Sequence, residues 1–155
     1  MADDLTPMDP LEERRLASEL FNHVWGLLDE PDRSAEQDDA MLHAAHASRW
    51  HWGRVGGPEQ QAVGEWQCSR VYAVLGRPEA ALHHARRCLE LSTLDGVDRF
   101  VEASAHEAMA RALAIAGDMD GARAERNAAY AIAVDLDDDD DRGVIEGDLG
   151  TLPIE

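Results

Sequence analysis

Histidine, arginine and tryptophan are concentrated in the segment HAAHASRWHW, which runs from His43 to Trp52. On a helix, with about 100° between successive residues, His43, His46 and Trp50 fall on one face. Two imidazoles at this spacing can bind one metal ion if neighbouring helices supply the remaining ligands. The alternative is that these histidines form hydrogen bonds at helix interfaces, as buried polar groups usually do.

The spacing of the chain supplies further candidates for that chemistry. A step of 41 residues leads from His43 to His84, and a second step leads to Glu125. If another helix lies between the helices that carry them, these residues are roughly 20 Å apart, whereas metal bonds are only about 2 Å long. We therefore predict neither a metal nor a cofactor. A small-molecule pocket remains the alternative, formed by His43, His46, Trp50 and His84.

Signatures of covalent catalysis are missing from the sequence. It contains no GxSxG motif, no phosphate-binding glycine loop and no CxxC pair. The two cysteines, Cys68 and Cys88, lie within apolar helical patterns and are predicted to be buried thiols rather than a disulfide. We predict no catalytic residue, and a binding function is favoured over an enzymatic one.

Charge excludes other classes of function. The 32 carboxylates face only 14 arginines and no lysine, which gives a formal net charge of −18. Such a field repels nucleic acids and anionic membrane surfaces. The sequence has no apolar run long enough to span a bilayer, and its first residues are acidic where a secretory signal is basic. We expect a cytoplasmic protein with neither nucleic acid nor membrane as partner.

Helix-terminating residues divide the chain into hairpins. Gly76 and Gly117 each separate two apolar-periodic stretches by a very short turn. Three hairpins are predicted, over about 10–52, 58–92 and 97–136. The acidic run 137–141 is predicted to be a solvated loop or a frayed helix end, and 142–155 a short capping helix. We expect residues 1–155 to form one helical-repeat domain.

The hairpins also repeat in sequence. Ala40, Ala81 and Ala122 lie 41 residues apart, each within a helix-forming stretch. Small residues at a fixed spacing of this length are typical of stacked helical pairs, in which each pair buries its apolar face against the next. The predicted fold class is therefore all-α.

The segment EWQCSRVYAVLGRPEAALHHARRCLEL, from Glu65 to Leu91, resembles the tetratricopeptide repeat. Its small, large and turn positions are occupied by Ser69, Tyr72, Gly76, Ala81 and Cys88. The repeat here is longer than the family's about 34 residues, so its helices or connections are extended. HAAHASRWHW and SRVYAVLGRPEAALHHARRCLE also resemble segments of a group of bacterial tetratricopeptide-like proteins without assigned activity. The resemblance implies a stack of three helical hairpins with a short C-terminal capping helix.

The same resemblance implies a binding mode, in which an extended peptide lies in a concave groove lined by the first helix of each pair. Family groove positions coincide with Trp66 and Arg70 in one unit and with Glu107 and Arg111 in the next. Arg70 and Arg111 would hold a ligand carboxylate or phosphate, beside Trp66 as an aromatic wall and Glu107 as an orienting partner. Alternatively, the arginines form structural ion pairs with Glu107. Other groove positions hold Val63, Ala73, Val74, Ser104, Ala114 and Ile115.

Taken with the resemblance, these residues imply a binding or scaffolding module. Its partner would be a peptide or another protein, including a second copy of this chain. The small-molecule or metal-binding alternative in the histidine-rich pocket stays open.

Overall fold

The computed structural model describes residues 5–154, which form seven α-helices and no strand. This confirms the all-helical prediction. The ends of the predicted domain, residues 1–4 and Glu155, lie outside the described residues. The helices are α1 Pro10–Leu28, α2 Ala35–Val55, α3 Pro58–Val74, α4 Pro78–Ser92, α5 Arg99–Ile115, α6 Met119–Ala133 and α7 Asp139–Leu149.

Capping residues set where these helices begin. Asp9 accepts a hydrogen bond of 3.3 Å from the backbone N–H of Glu12, and Pro10 occupies the first turn of α1. Ser34 and Gln37 form a reciprocal capping box at the start of α2. These signals are local, so the sequence alone is sufficient to place both helix starts.

The last helix begins earlier than predicted. α7 starts at Asp139, inside the acidic run 137–141 that the sequence predicts to be a loop or a frayed helix end. Asp138 caps it by accepting the backbone N–H groups of Asp140 and Asp141. Carboxylates in a first turn interact favourably with the positive end of the helix dipole. The second part of the charge run therefore forms the first turn of a helix.

Two hairpins close with the same turn. Gly76 between α3 and α4 and Gly117 between α5 and α6 have φ angles of 72° and 90°. Glycine adopts this left-handed conformation without a steric penalty. Ala81 and Ala122, which follow these turns, are completely buried. The predicted 41-residue spacing thus corresponds to matching turns and matching packing positions in these two hairpins.

The first hairpin does not share this register. Ala40 lies at the same spacing but is exposed, and the buried residue at this level of α2 is Met41. Met41 packs in a core cluster with Val24 and Leu27 of α1. A methionine side chain is larger than the alanine found in the other hairpins. The 41-residue repeat is therefore structural in the second and third hairpins and only numerical at Ala40.

Helix contacts follow the chain order. α1 packs on α2, α3 on α4 and α5 on α6, while α2 and α4 also contact the helix that follows each of them. α3 lies along α5, whereas α1 makes only slight contact with α3. α7 packs on both α5 and α6. An opening therefore remains between α1 and α3, on the side where α3 meets α5.

None of the helices of residues 5–154 combines the length and the apolar composition that crossing a bilayer requires.

Candidate functional site

The four residues predicted to line a groove converge on one buried carboxylate. The Glu107 side chain is 1% exposed. Trp66 Nε1 donates to Glu107 Oε2 at 3.2 Å, and Arg70 Nη2 and Arg111 Nε donate to Oε1 at 3.2 and 2.8 Å. The Arg70 guanidinium also lies over the Trp66 ring, 5.2 Å from its centroid. The structure therefore brings these four residues together.

The last helix completes this cluster. Asp148 of α7 forms an ion pair of 3.4 Å with Arg70, and its backbone carbonyl accepts a hydrogen bond of 3.1 Å from Arg111. Arg111 also donates to Thr151 Oγ1 at 2.8 Å. We call Trp66, Arg70, Glu107, Arg111, Asp148 and Thr151 the Glu107 network. Both arginines thus bind groups of their own chain, and their binding of a ligand stays a prediction.

An open groove lies beside the Glu107 network. A cavity of about 490 Å³ extends between α1, α3, α5 and the first turn of α7, and a second cavity of about 220 Å³ adjoins it. The two share Phe21, Val63, Phe100 and Val101. The opening between α1 and α3 gives rise to this space, since the backbones of these helices approach each other at few positions, while side chains such as Trp25 and Trp66 meet across it. We call the two cavities together the groove.

The lining of the groove combines two kinds of side chain. Its apolar side chains are Phe21, Trp25, Trp52, Val63, Trp66, Phe100, Val101 and Val144. Its carboxylates are Glu59, Asp98, Asp141 and Asp148. No arginine, lysine or histidine is among the residues of 5–154 that line it. The groove is therefore apolar and electronegative.

The carboxylates of the groove come from α3, the start of α5, and α7. Glu59 accepts a hydrogen bond of 3.1 Å from the backbone N–H of Asp98, and Asp98 accepts one of 2.8 Å from Phe100. Burial raises the pKa of Asp141, and the neighbouring Asp138, Asp98 and Asp140 raise it further. Negative charge is thus crowded at this end of the groove.

The pKa of Asp148 is raised as well. Burial is the main cause, and Glu107 adds to it, while Arg70 and Arg111 act in the opposite direction. The second, smaller cavity therefore ends at a carboxylate for which ionisation is costly.

A second cluster joins histidines from two different helices. His46 Nε2 of α2 lies 2.9 Å from the Tyr72 hydroxyl, and Tyr72 stacks on His84 of α4 with 5.4 Å between ring centroids. The His46 and His84 rings are 5.3 Å apart. The separation predicted for His43, His84 and Glu125 does not apply to this pair, because His46 and His84 both contact Tyr72 of α3. Burial, and then the charge of His84, lower the pKa of His46.

Glu65 of α3 belongs to this cluster through contacts with His84 and Arg49. His84 Nδ1 lies 2.6 Å from Glu65 Oε2, and Arg49 Nε donates to Oε1 at 2.9 Å. Burial alone would raise the pKa of Glu65, but these partners lower it overall. Gly64 makes room for Arg49, since a Cβ atom there would lie 2.8 Å from Arg49 Cδ. We call Arg49, His46, Glu65, Tyr72 and His84 the histidine cluster.

The other members of the predicted histidine-rich pocket lie elsewhere. His43 is exposed, although its charge lowers the pKa of the nearby His46. Trp50 is 48% exposed, and the Arg54 guanidinium lies 4.9 Å from its ring centroid. The structure therefore brings together only His46 and His84 of that set.

The contact between Glu65 and His84 is repeated in the next hairpin with its partners exchanged. A step of 41 residues converts Glu65 into His106 and His84 into Glu125, and this pair also lies 2.6 Å apart. The 41-residue step relates His84 to Glu125 in the sequence, and the same step relates their partners, Glu65 on α3 and His106 on α5. Comparing both helices of each pair would have revealed a carboxylate–imidazole contact that recurs with its partners exchanged.

Neither cysteine offers a nucleophile. Cys68 and Cys88 are free and buried, as predicted. Burial raises the pKa of the Cys68 thiol to about 12 and also raises that of Cys88. Within residues 5–154, no group of three or more His, Cys, Asp or Glu side chains is arranged to hold a metal ion.

No protein-family model, curated protein or solved structure matches this chain. Its function therefore has to be inferred from the geometry of its own residues.

Proposed function

We propose that the chain is a tetratricopeptide-like stack of three helical hairpins, closed by α7, that acts as a binding or scaffolding module. Three features support this architecture. The Gly76 and Gly117 turns have matching left-handed φ angles, and Ala81 and Ala122 are buried at equivalent positions. α3 and α5, the first helices of consecutive pairs, lie side by side. The partner is a segment of a peptide or protein.

The groove is the single observation that carries this proposal. Its main cavity of about 490 Å³ lies within the roughly 300 to 1,000 Å³ of ligand-binding clefts. Burying apolar surface contributes about 25 cal/mol per Å², so an occupant that covers the aromatic lining is stabilised without any rearrangement of the helices. Val63 and Ser104, two of the predicted groove positions, belong to this lining.

The Glu107 network has a positioning role in this proposal. It holds the Trp66 indole at the wall of the groove through the bond to Glu107. It also fixes α7 through the contacts of Arg70 and Arg111 with Asp148. The arginines that the sequence assigns to ligand binding thereby shape the wall that the partner contacts.

The small-molecule alternative receives less support. Within the histidine cluster, Tyr72 contacts His46, while Arg49 and His84 contact Glu65, so its polar groups bind one another. A ligand inside the cluster would have to break these contacts. A cavity of about 650 Å³ lies beside the cluster and is lined by His83 and His84, but it lacks the phenylalanine and tryptophan side chains that line the groove.

A blocking substitution tests the proposal. Asn22 is an exposed residue of α1 that lines the groove, and the adjacent His23 is exposed but does not line it. We would select peptides from a random library on the wild-type protein, then measure their binding to N22W and H23W. Asn22→Trp fills the groove, while His23→Trp adds the same side chain outside it.

The proposal expects selected peptides that bind wild type and H23W alike and lose at least about tenfold in affinity for N22W, which corresponds to about 1.4 kcal/mol. Equal thermal midpoints of the two variants show that folding is intact. If N22W is destabilised, Ser18→Trp provides a second block from α1. The proposal is contradicted if the selected peptides bind N22W and Ser18→Trp as tightly as they bind wild type, or if the library yields no binding peptide.

A further inference from the structure

We infer that the occupant of the groove is a segment of a partner protein that carries lysine or arginine beside large apolar side chains. This inference rests on the proposed function and specifies the chemistry of the partner. The segment must match two features of the groove. One is its apolar lining, and the other is the set of carboxylates Glu59, Asp98 and Asp141, which we call the rim.

The apolar lining of the groove calls for apolar side chains in the segment that binds there. Phe21, Val63 and Phe100 contribute to both cavities, so they form one continuous apolar surface. Trp25 and Trp66 extend it in the smaller cavity, with their ring centroids 5.4 Å apart. Large aliphatic or aromatic side chains fit such a surface, because burial of their area is favourable and does not depend on hydrogen-bond geometry.

The cationic half comes from the rim. Glu59, Asp98 and Asp141 approach one another from α3, from the start of α5 and from α7. Asp98 raises the pKa of Asp141, as expected for like charges held close together. An ammonium or guanidinium group placed between them would relieve this repulsion and gain favourable contacts with up to three carboxylates.

The arginines next to these carboxylates in sequence have other partners. Arg142 donates to the Leu136 carbonyl at 2.7 Å and pairs with Asp139. Arg99 Nε lies 3.9 Å from Glu102 Oε2, and Arg99 lines a neighbouring cavity to which Asp98 and Asp141 also contribute. No arginine of residues 5–154 lines the groove side of these carboxylates, so a cation there is best supplied by a second molecule.

The charge of the whole chain favours the same type of partner. With a formal net charge of −18 and no lysine, the protein attracts cationic segments over a distance and repels acidic ones. A second copy of this chain carries the same excess of carboxylates. Charge complementarity thus selects a basic segment of a different protein over self-association.

Two matched synthetic peptides test this inference. Both carry the same leucine and phenylalanine residues, and they differ only in having lysine or glutamate at the remaining positions. Binding is measured by calorimetry and by tryptophan fluorescence, since Trp25, Trp52 and Trp66 line the groove. The inference expects the lysine peptide to bind in competition with library-selected peptides, with an affinity that falls as salt is added.

Charge-removing variants identify the rim. Asp98→Asn keeps a side chain that can cap α5, and Asp141→Asn changes an α7 residue that lines the groove. Each should weaken the lysine peptide about threefold to fivefold, the range expected for one partly screened charge pair. Asp140→Asn removes the same charge from the same turn of α7, but Asp140 does not line the groove. Its effect on the free energy of peptide binding should be less than about half of the effect of Asp98→Asn or Asp141→Asn.

The outcomes separate this inference from the proposed function. If the glutamate peptide binds as well as the lysine peptide and N22W abolishes both, the inference is wrong and the groove remains a binding site. If neither peptide binds and the library yields no ligand, the proposed function fails as well.

Two other occupants would overturn the inference. A concentration-dependent mass in sedimentation that N22W removes identifies the occupant as a second copy. A small aromatic ammonium compound that binds as tightly as the lysine peptide and displaces it shows that no protein segment is required.

Discussion

The Glu107 network and the groove lie side by side on α3, α5 and α7, yet they treat charge in opposite ways. In the network, Trp66, Arg70 and Arg111 all donate to one carboxylate that is almost completely buried. In the groove, carboxylates face a cavity whose lining includes no basic residue of the described chain. The two regions thus differ in whether basic side chains lie beside their carboxylates; Asp148, which belongs to both, is paired with Arg70.

This comparison predicts different consequences for substitutions in the two regions. Substitutions in the network should lower the free energy of unfolding, and conservative substitutions in the groove should lower affinity for a partner. The histidine cluster resembles the network in this respect, because Glu65 is bound by both Arg49 and His84.

The largest effect is expected at Glu107. Glu107→Ala leaves two guanidinium groups and the Trp66 N–H without their shared acceptor, which should cost about 3 to 5 kcal/mol of unfolding free energy. Glu102→Ala on the same helix is the control, because its side chain is 29% exposed and lies 3.9 Å from Arg99. Denaturant unfolding measures both. A loss at Glu107 of below about 1 kcal/mol would contradict a structural role for the network.

The two inverted ion pairs give a finer comparison. Glu65→Ala should cost about 2 to 3 kcal/mol, because Glu65 is 9% exposed and its loss leaves Arg49 and His84 partly unpaired. Glu125→Ala should cost about 1 kcal/mol or less, since its side chain is 25% exposed and pairs with His106 alone. Equal losses of unfolding free energy in the two variants would show that the deeper burial of Glu65 does not make its contact more important for stability than that of Glu125.

A pH dependence should follow from the histidine cluster. Because folding lowers the pKa of His46 from 6.5, the unfolded chain binds the proton more readily. The contribution of His46 to the free energy of unfolding is therefore fully present above pH 6.5, and it is lost as the pH falls through the pKa of His46 in the folded state. His46→Gln should flatten the fall of unfolding free energy just below pH 6.5. An unchanged slope in this variant would rule out His46 as its cause.

Glu65 predicts a second loss at lower pH. Its pKa is lowered from 4.5 in the folded state, so its contribution is complete above pH 4.5 and declines as the pH falls below that value. Glu65→Gln should remove this part of the acid sensitivity, as measured by thermal unfolding across the acidic range.

Smaller effects on stability are expected in the groove. Asp98→Asn and Asp141→Asn remove charges that repel one another, so the free energy of unfolding should change by less than about 0.5 kcal/mol. A loss as large as that at Glu65 would mean that the rim is part of the structural framework, which thermal unfolding would reveal before any binding measurement.

Local signals predicted much of the fold. The turn glycines Gly76 and Gly117 are predicted from the sequence and mark helix boundaries in the structure. The caps of α1 and α2, Asp9 with Pro10 and Ser34 with Gln37, also act within a few residues. They could be read from the sequence because caps and turns depend on the local chain.

Tertiary placement was harder to predict. Arg70, Glu107 and Arg111 converge as their spacing suggests, but the docking of Asp148 joins residues far apart in the chain, and no local pattern encodes it. The groove exists because the backbones of α1 and α3 approach each other at few positions. Ala40 has the same 41-residue spacing as Ala81 and Ala122, so the sequence suggests that the first hairpin packs as the other two do and does not reveal this opening.

The most direct test of the central claim compares the affinity of one library-selected peptide for wild type, N22W and H23W. If the groove between α1, α3, α5 and α7 is the binding site, H23W binds as wild type does and N22W loses at least about tenfold. Equal affinities for the two folded variants would contradict the claim.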